Sequence, residues 1–156
     1  MAKDIWVLLG EKSLAEFIRR LIFNAAIGNA DMHLKNWSLL YRDGRTPELA
    51  PGYDYVSTMR YLPERGLGLP LARTKDVTRL DDDLLEKASL QAGVPRGLVK
   101  GVAHETARAF IRVWSGHKAG LPIDDLGRRK IDEQLQLVPV FKEHLRVSQA
   151  RKRKNT

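Results

Sequence analysis

Apolar residues recur at helical spacing in several stretches of the chain. Between residues 13 and 28 they form one continuous face, with Ser13 as the expected N-cap and Glu16 at the capping-box position. Gly28 is expected to end this helix, because glycine readily adopts the left-handed conformation of a C-cap. The pattern predicts an amphipathic helix over 13–28 whose apolar face is buried.

The second half of the chain is also helical by pattern. An acidic start suits a helix N-terminus over 81–92, and prolines near the first position begin helices over 95–116 and 122–146. Pro139 predicts a kink or break within the last helix. The apolar positions assigned to the core are Leu14, Phe17, Ile18, Leu21, Val102, Phe110, Ile111 and Trp114.

Between these helices the pattern changes to a polar loop followed by strands. Residues 29–36 are polar with isolated apolar positions, and 37–41 read as a short strand. Asp43-Gly44 is a hairpin signal, and the strand is expected to return over 48–51. Residues 54–75, which contain several prolines and glycines, predict a long loop. The expected fold class is therefore mainly α with a small β-hairpin.

Composition limits the classes of function. The chain has no cysteine, which excludes disulfides and thiolate metal sites and agrees with a cytoplasmic location. No apolar run approaches the roughly 18 residues that span a bilayer, so no membrane partner is expected. The net charge of +8 favours polyanionic partners, although the run Arg151–Lys154 supplies four of those charges. The predicted organisation is a leader over 1–12, one domain over 13–147 and a basic disordered tail over 148–156.

Three polar residues around the hairpin have the chemistry of phosphoryl transfer. Asp31 and Asn36 lie in the polar loop, and Asp54 follows the hairpin. A carboxylate such as Asp31 can accept the proton of an attacking hydroxyl, while an amide and a carboxylate, Asn36 and Asp54, offer the oxygen ligands that Mg²⁺ prefers. His33 or Lys35 would supply a cation toward the phosphates. The spacing alone is also typical of turn-forming residues.

The identities of the residues in this segment carry more information than their spacing. Residues 28–36, GNADMHLKN, followed by an apolar strand, resemble the catalytic loop of HipA-like serine/threonine kinases, the toxins of bacterial toxin–antitoxin pairs. That family has Gly-Asn-x-Asp-x-His-x-Lys-Asn, and farther on Ala-Pro-x-Tyr-Asp, which residues 50–54 supply. Residues 67–71 resemble the family's later apolar segment more loosely. Two motifs in the family's order identify the resemblance.

The resemblance implies a role for each matching residue. Asp31 matches the catalytic aspartate, Asn36 and Asp54 match the Mg²⁺-binding pair, and His33 and Lys35, with that pair, match nucleotide-binding positions. The implied activity is transfer of the ATP γ-phosphate to serine or threonine, in a fold like a kinase C-lobe. The implied partners are a protein substrate, of which aminoacyl-tRNA synthetases are one reported class, and a small DNA-binding antitoxin.

The resemblance covers residues 13–147, the C-terminal portion of the family. A complete kinase also needs a phosphate-covering loop and a lysine on a strand, and Met1–Lys12 hold a single glycine, Gly10. We expect an absent N-lobe, weak ATP binding, little activity of the isolated chain and an exposed apolar patch. Three explanations stay open: the chain is truncated, it is one half of a split kinase, or it is a degenerate remnant. Truncation is favoured.

A second hypothesis is a non-catalytic module that binds an antitoxin or DNA. Arg96, Lys100 and Arg108 can share one helix face, and with the basic tail they could form a positive region. The sequence has no recognition-helix pattern and no aromatic stripe for stacking on bases. At most a weak, non-specific and salt-dependent contact with DNA is therefore expected, and a solvated basic face is favoured.

Overall fold

The computed structural model describes residues 1–61 and 66–154, and the side chains of residues 1–61 and 66–146. Within this part the chain forms five α-helices and two separate two-stranded antiparallel sheets. In chain order the elements are α1 (Ala2–Ile27), β1 (Leu39–Leu40), β2 (Glu48–Leu49), β3 (Gly66–Leu71), β4 (Thr74–Asp76), α2 (Asp82–Ala92), α3 (Arg96–His117), α4 (Asp125–Leu137) and α5 (Pro139–Lys154). The predicted fold class is confirmed, with one hairpin more than expected.

The first helix is longer than predicted. It begins at Ala2 rather than after Ser13, which is not its N-cap. A kink divides it at Gly10, whose φ of 74° and ψ of −168° are non-helical. The capping signal at Ser13 therefore follows a kink and not a helix start. Gly28 ends the helix as predicted, in the left-handed conformation.

The later helices follow the sequence pattern closely. Asp81 caps α2 by accepting the Leu84 N–H at 2.8 Å, and Gly93 ends that helix with a φ of 63°. Asp124 caps α4 in the same way, with the N–H of Gly127. The break expected at Pro139 is present, because α4 ends at Leu137 and α5 starts at Pro139.

The core lies mainly between α1 and α3, with α2, α4 and α5 packed around them. The predicted core positions are buried, except that Phe110 is only partly buried and packs against the core. Gln134 of α4 is also fully enclosed, and its amide donates to the Ala25 carbonyl at 3.0 Å. This bond ties α4 to the last turn of α1.

The first hairpin is confirmed, and the second was missed. β1 and β2 pair with Leu39 opposite Leu49, in strands shorter than predicted. The predicted loop over 54–75 is wrong where β3 and β4 form, although residues 62–65 lie outside the described part. Pro70 and the glycines at 66 and 68 concealed β3, since both residue types are rare in strands.

The structure at the two ends of the chain does not test the predicted domain boundaries. α1 covers most of the predicted leader, and the α5 backbone continues to Lys154. The division into 1–12, 13–147 and 148–156 stays a prediction. No helix in the described residues is both long and apolar enough to cross a bilayer.

Candidate functional site

The polar loop after α1 begins at a glycine that cannot be replaced without strain. Gly28 has a φ of 66°, and its N–H bonds back to the carbonyls of Ala25 and Asn24. A Cβ at this position would also collide with the side chain of Met59. The backbone angle and the packing both require glycine, and the chain here turns out of the helix into residues 29–36.

Asn36 and Asp54 meet across the first hairpin. The buried Asn36 ends a short 3₁₀ helix, Leu34–Asn36, and its Oδ1 accepts the His33 N–H at 2.8 Å. Because that bond directs Oδ1 toward His33, the Nδ2 group faces Asp54 and donates to its Oδ2. The hairpin folds Asp54 back onto the polar loop, as the order of the motifs predicted.

Asp31 is connected to this pair through Asn29. The side chain of Asp31 is exposed, and its N–H donates to the Asn29 Oδ1 at 3.0 Å. The Asn29 Nδ2 in turn donates to the Asp54 carbonyl at 3.2 Å. The structure therefore links Asp31 and Asp54 by two hydrogen bonds through one buried amide. His33 and Lys35 are exposed on the same loop.

Thr58 and Tyr53 fix the two ends of the loop. The Thr58 hydroxyl donates to the Gly28 carbonyl and accepts the Ala30 N–H, both at 3.0 Å, so it spans Asn29. At the other end, the Tyr53 hydroxyl donates to the Lys35 carbonyl at 2.8 Å. The tyrosine directly precedes Asp54, so this bond also positions the carboxylate.

The second hairpin packs against the middle of the loop. Gly68 of β3 lies so close to Met32 that a Cβ would overlap the Met32 backbone oxygen and nitrogen. Met32 is buried with Leu21 and Leu69 in a small apolar cluster. Because the buried Met32 side chain fixes the middle of the loop, its neighbours Asp31 and His33 face solvent.

A small pocket adjoins the Asn36–Asp54 contact. Arg20, Asn24 and Tyr55 contribute to its wall. Burial raises the pKa of the Tyr55 hydroxyl above its usual value of 10, with Glu16 raising it further and Arg20 opposing the shift. Tyr55 is therefore protonated at neutral pH.

An apolar groove of about 350 Å³ shares Trp37 with this pocket. Leu8 and Leu34, both 63% exposed, lie on its wall. Its full lining is Met1, Asp4, Ile5, Leu8, Leu9, Leu34, Trp37, Ser38, Leu39 and Leu49. The apolar groove thus extends from the N-terminal part of α1 to the polar loop, and it agrees with the expected exposed apolar patch.

Sequence reasoning assigned no role to Asn29, Thr58 or Tyr53. Asn29 and Tyr53 stand inside the two motifs, so position next to Asp31 and Asp54 was an available signal. Thr58 lies in the segment read as a loop, and only the folded chain brings it against Gly28.

Comparison with protein families agrees with this geometry. The model of the HipA-like C-terminal domain matches residues 1–114. The chain belongs to the HipA-like C-terminal domain family. The match includes residues 1–12, before the segment on which the resemblance rested, and it contains both motifs.

Two relatives from Sinorhizobium fredii (strain NBRC 101917 / NGR234) are similar in sequence to this HipA-like domain. "Putative kinase Y4dM" is 43% identical over 131 residues, which are 83% of this chain and 32% of the relative. "Putative kinase Y4mE" is 39% identical over 98 residues, 59% of this chain and 23% of the relative. The chain spans about a third or less of the length of these proteins.

The HipA-like fold also appears in a solved structure. HipA of the Shewanella oneidensis MR-1 toxin–antitoxin system, solved with HipB and its operator DNA, matches with a TM-score of 0.70 and 22% sequence identity. The match covers 92% of this chain and 35% of the HipA chain. At this identity the likeness concerns the fold.

Proposed function

We propose that this chain is the C-terminal catalytic part of a HipA-like serine/threonine protein kinase. It would transfer the ATP γ-phosphate to a protein hydroxyl, as the toxin of a toxin–antitoxin pair in the cytoplasm. The observation that carries the proposal is the contact between Asn36 and Asp54, with Asp31 tied to the same pair. An amide, a carboxylate and a second, exposed carboxylate are the groups that this reaction class requires.

The chemistry of the donor set supports Mg²⁺ as the ion that it would bind. Asp54 retains a second carboxylate oxygen, and the Asn36 Oδ1 retains a second lone pair beside the one that faces His33. No cluster of three or more His, Cys, Asp or Glu that could hold a metal occurs in the described residues. Two protein oxygens suffice for Mg²⁺, which keeps several waters and takes other ligands from phosphates. When bound, the ion would neutralise charge on the transferring phosphate.

The exposed residues of the loop take the remaining roles. Asp31 would orient the acceptor hydroxyl and accept its proton, for which its exposed carboxylate is suited. His33 and Lys35 would face the nucleotide phosphates. The Tyr53 bond fixes the Lys35 backbone, so its ammonium group extends from a defined position.

The apolar groove supports a role for the rest of the kinase as a partner. The relatives are about two and a half times as long as this chain, and a phosphate-covering loop and a strand lysine would come from their remaining part. We propose that an apolar face of this N-terminal lobe packs into the apolar groove, next to Leu34 of the polar loop. An antitoxin is the second proposed partner, since the similar Shewanella HipA was solved with HipB and operator DNA.

Direct DNA contact by α3 would be weak. Two of the three cations predicted to form a basic face are paired with carboxylates of α2. The guanidinium nitrogen Nη1 of Arg96 lies 2.6 Å from the Glu86 Oε1, and the Lys100 Nζ lies 2.9 Å from the Asp82 Oδ2. These pairs reduce the positive field and favour the solvated-face interpretation, leaving Arg108 exposed.

Calorimetric titration with Mg²⁺ and ATP tests the proposal. The isolated chain should bind Mg·ATP weakly, and Asp54→Asn should reduce binding by about tenfold or more because an anionic ligand is lost. Asparagine tolerates the left-handed backbone, so folding should change little. Asp31→Asn should leave binding intact. Asp83→Asn, an exposed charge change on α2, is the matched control.

Activity gives a second test. The isolated chain should show little or no kinase activity, because positioning dominates this reaction and we propose that the phosphate-covering loop and the strand lysine belong to the N-terminal lobe. Robust autophosphorylation by the pure chain, lost in Asp31→Ala, would contradict the expected inactivity. Equal Mg·ATP affinity in the wild type and Asp54→Asn would refute the metal assignment and favour the binding-module alternative.

A further inference from the structure

Asn29 occupies the crossing point of the loop and the segment that carries Asp54. It is 3% exposed, and every polar hydrogen and the oxygen of its amide have a partner. Nδ2 donates to the Asn24 Oδ1 at 2.8 Å and to the Asp54 carbonyl at 3.2 Å, while Oδ1 accepts the Asp31 N–H. A single side chain therefore holds the backbones of both acidic residues.

Asp54 needs such support because its own backbone is strained. Its φ of 60° lies in the left-handed region, which aspartate adopts more readily than most residues with a Cβ but only with local hydrogen bonds. Two amides hold it from different sides, Asn29 at its carbonyl and Asn36 at its carboxylate. The bond from Asn29 fixes the peptide plane from which the carboxylate extends toward Asn36.

We propose that Asn29 is a positioning residue that couples the loop of the catalytic base to the metal-binding carboxylate. It sets the Asp31 backbone and the Asp54 backbone in one arrangement, and it contacts neither nucleotide nor metal itself. This inference rests on the proposed function for the roles of Asp31 and Asp54, but the coupling between the two backbones can be measured without any ligand.

Asn29→Ala separates coupling from general stability when it is compared with two other buried polar residues. Ser89→Ala removes a buried hydroxyl that bonds to the Leu85 carbonyl within α2, away from the site. Asn24→Ala removes the third partner of Asn29 and leaves its bonds to Asp31 and Asp54 available. Ser89→Ala therefore controls for stability, and Asn24→Ala for damage to the buried amide network.

Calorimetric titration with Mg²⁺ is the functional readout. Asn29→Ala should raise the Kd for Mg²⁺ by about tenfold or more, as is typical when a residue that orients a metal ligand is lost. Ser89→Ala should change it less than about twofold, and Asn24→Ala should lie between them. An affinity in Asn29→Ala equal to that in Ser89→Ala would overturn the inference.

Nuclear magnetic resonance distinguishes failure of the inference from failure of the proposed function. Without Mg²⁺, Asn29→Ala should speed amide exchange at Asp31 by about tenfold and shift the carbonyl carbon resonance of Asp54, since the lost bonds free the Asp31 N–H and the Asp54 carbonyl. Unchanged Asp54 resonances would overturn the coupling even if the chain binds Mg²⁺. If the wild type binds no Mg²⁺ while both changes occur, the metal assignment fails and the coupling stands.

If Asn29→Ala does not fold, a measurement on the wild type still tests the inference. If the coupling exists, added Mg²⁺ should shift the side-chain NH₂ resonances of Asn29 and slow exchange of the Asp31 amide, because an ion on the Asp54 carboxylate restrains the shared amide. Mg²⁺ binding that moves Asp54 and leaves Asn29 and Asp31 unaffected would contradict it.

Discussion

The Nδ1 of His104 on α3 lies 3.0 Å from the Nε2 of His144 on α5. On its other side, His104 Nε2 contacts Asp82 at 2.6 Å, and Asp82 also pairs with Lys100. The hydrogen bond from His104, followed by that from Lys100, lowers the pKa of Asp82. Burial, followed by repulsion from His104, lowers the pKa of His144 below 6.5. The helices α2, α3 and α5 are thus joined by side chains whose charge changes as the pH falls.

We expect the free energy of unfolding to fall as the solution becomes acidic. The unfolded chain protonates His144 more readily than the folded chain does, so stability is lost as the pH falls below about 6.5. The contribution of Asp82 is present above pH 3.8 and is lost as the pH falls through its lower, folded pKa. Urea unfolding at pH 7 and pH 5 should show a smaller loss for His144→Gln than for the wild type. His117→Gln, an exposed position, should keep the wild-type loss, and equal losses in both variants would contradict the assignment.

Gly68→Ala should destabilise the fold, whereas Gly101→Ala should stabilise it. A methyl group at Gly68 meets the backbone of Met32, which cannot move aside as a flexible side chain would. We expect a loss of about 1–3 kcal/mol. Gly101 lies exposed inside α3 with open space around it, and alanine there should add about 0.8–1 kcal/mol. Thermal unfolding of the two variants measures the contrast, and a neutral Gly68→Ala would show that β3 does not support the loop.

Two residues in the turn between β3 and β4 have backbone angles that reduce stability. Ala72 and Arg73 have φ values of 45° and 69°, which favour asparagine and glycine. The double variant Ala72→Asn/Arg73→Gly should therefore gain about 1–2 kcal/mol in the free energy of unfolding. Gly44 has a φ of 74° and open space where a Cβ would lie, so Gly44→Ala should lose about 1 kcal/mol from conformational strain alone. Chemical denaturation of both would show opposite signs, and a destabilised double variant would refute the strain argument.

The apolar groove should cause self-association when no partner lobe is present. Leu8 and Leu90 are equally exposed, at 63%, but only Leu8 lines the groove. Leu8→Lys should raise the dissociation constant for self-association by about tenfold or more, while Leu90→Lys should leave it nearly unchanged. Sedimentation velocity over a wide concentration range measures this. A wild type that stays monomeric throughout would count against an exposed docking surface.

Local signals in the sequence predicted most of the helical framework. The acidic start of α2 and the break at Pro139 act within one or two turns, so their effects follow from neighbouring residues. Ser13 and Glu16 misled the prediction for α1, because a capping pair inside a helix has the same sequence pattern as one at a helix start. The hairpin of β3 and β4 was not predicted because Gly68 serves a close approach to the Met32 backbone, and no local pattern shows which segment approaches.

The site was predictable in part for the same reason. The order of the two motifs predicted the meeting of Asn36 with Asp54, which the structure shows. The roles of Asp31, His33 and Lys35 stay predictions. The supports from Asn29 and Thr58 depend on contacts between segments about 25 to 30 residues apart, and spacing along the chain carries no information about them.

The bond between Gln134 and Ala25 spans 109 positions, and this separation orders events during synthesis. The polar loop emerges from the ribosome before α4, the helix that ties down the preceding turn. Contacts so distant in sequence form late, because the intervening chain must first be fixed. A nascent chain stopped before α4 would carry every motif residue and still lack the bond at the base of the loop. Completion of the site is therefore coupled to completion of α4.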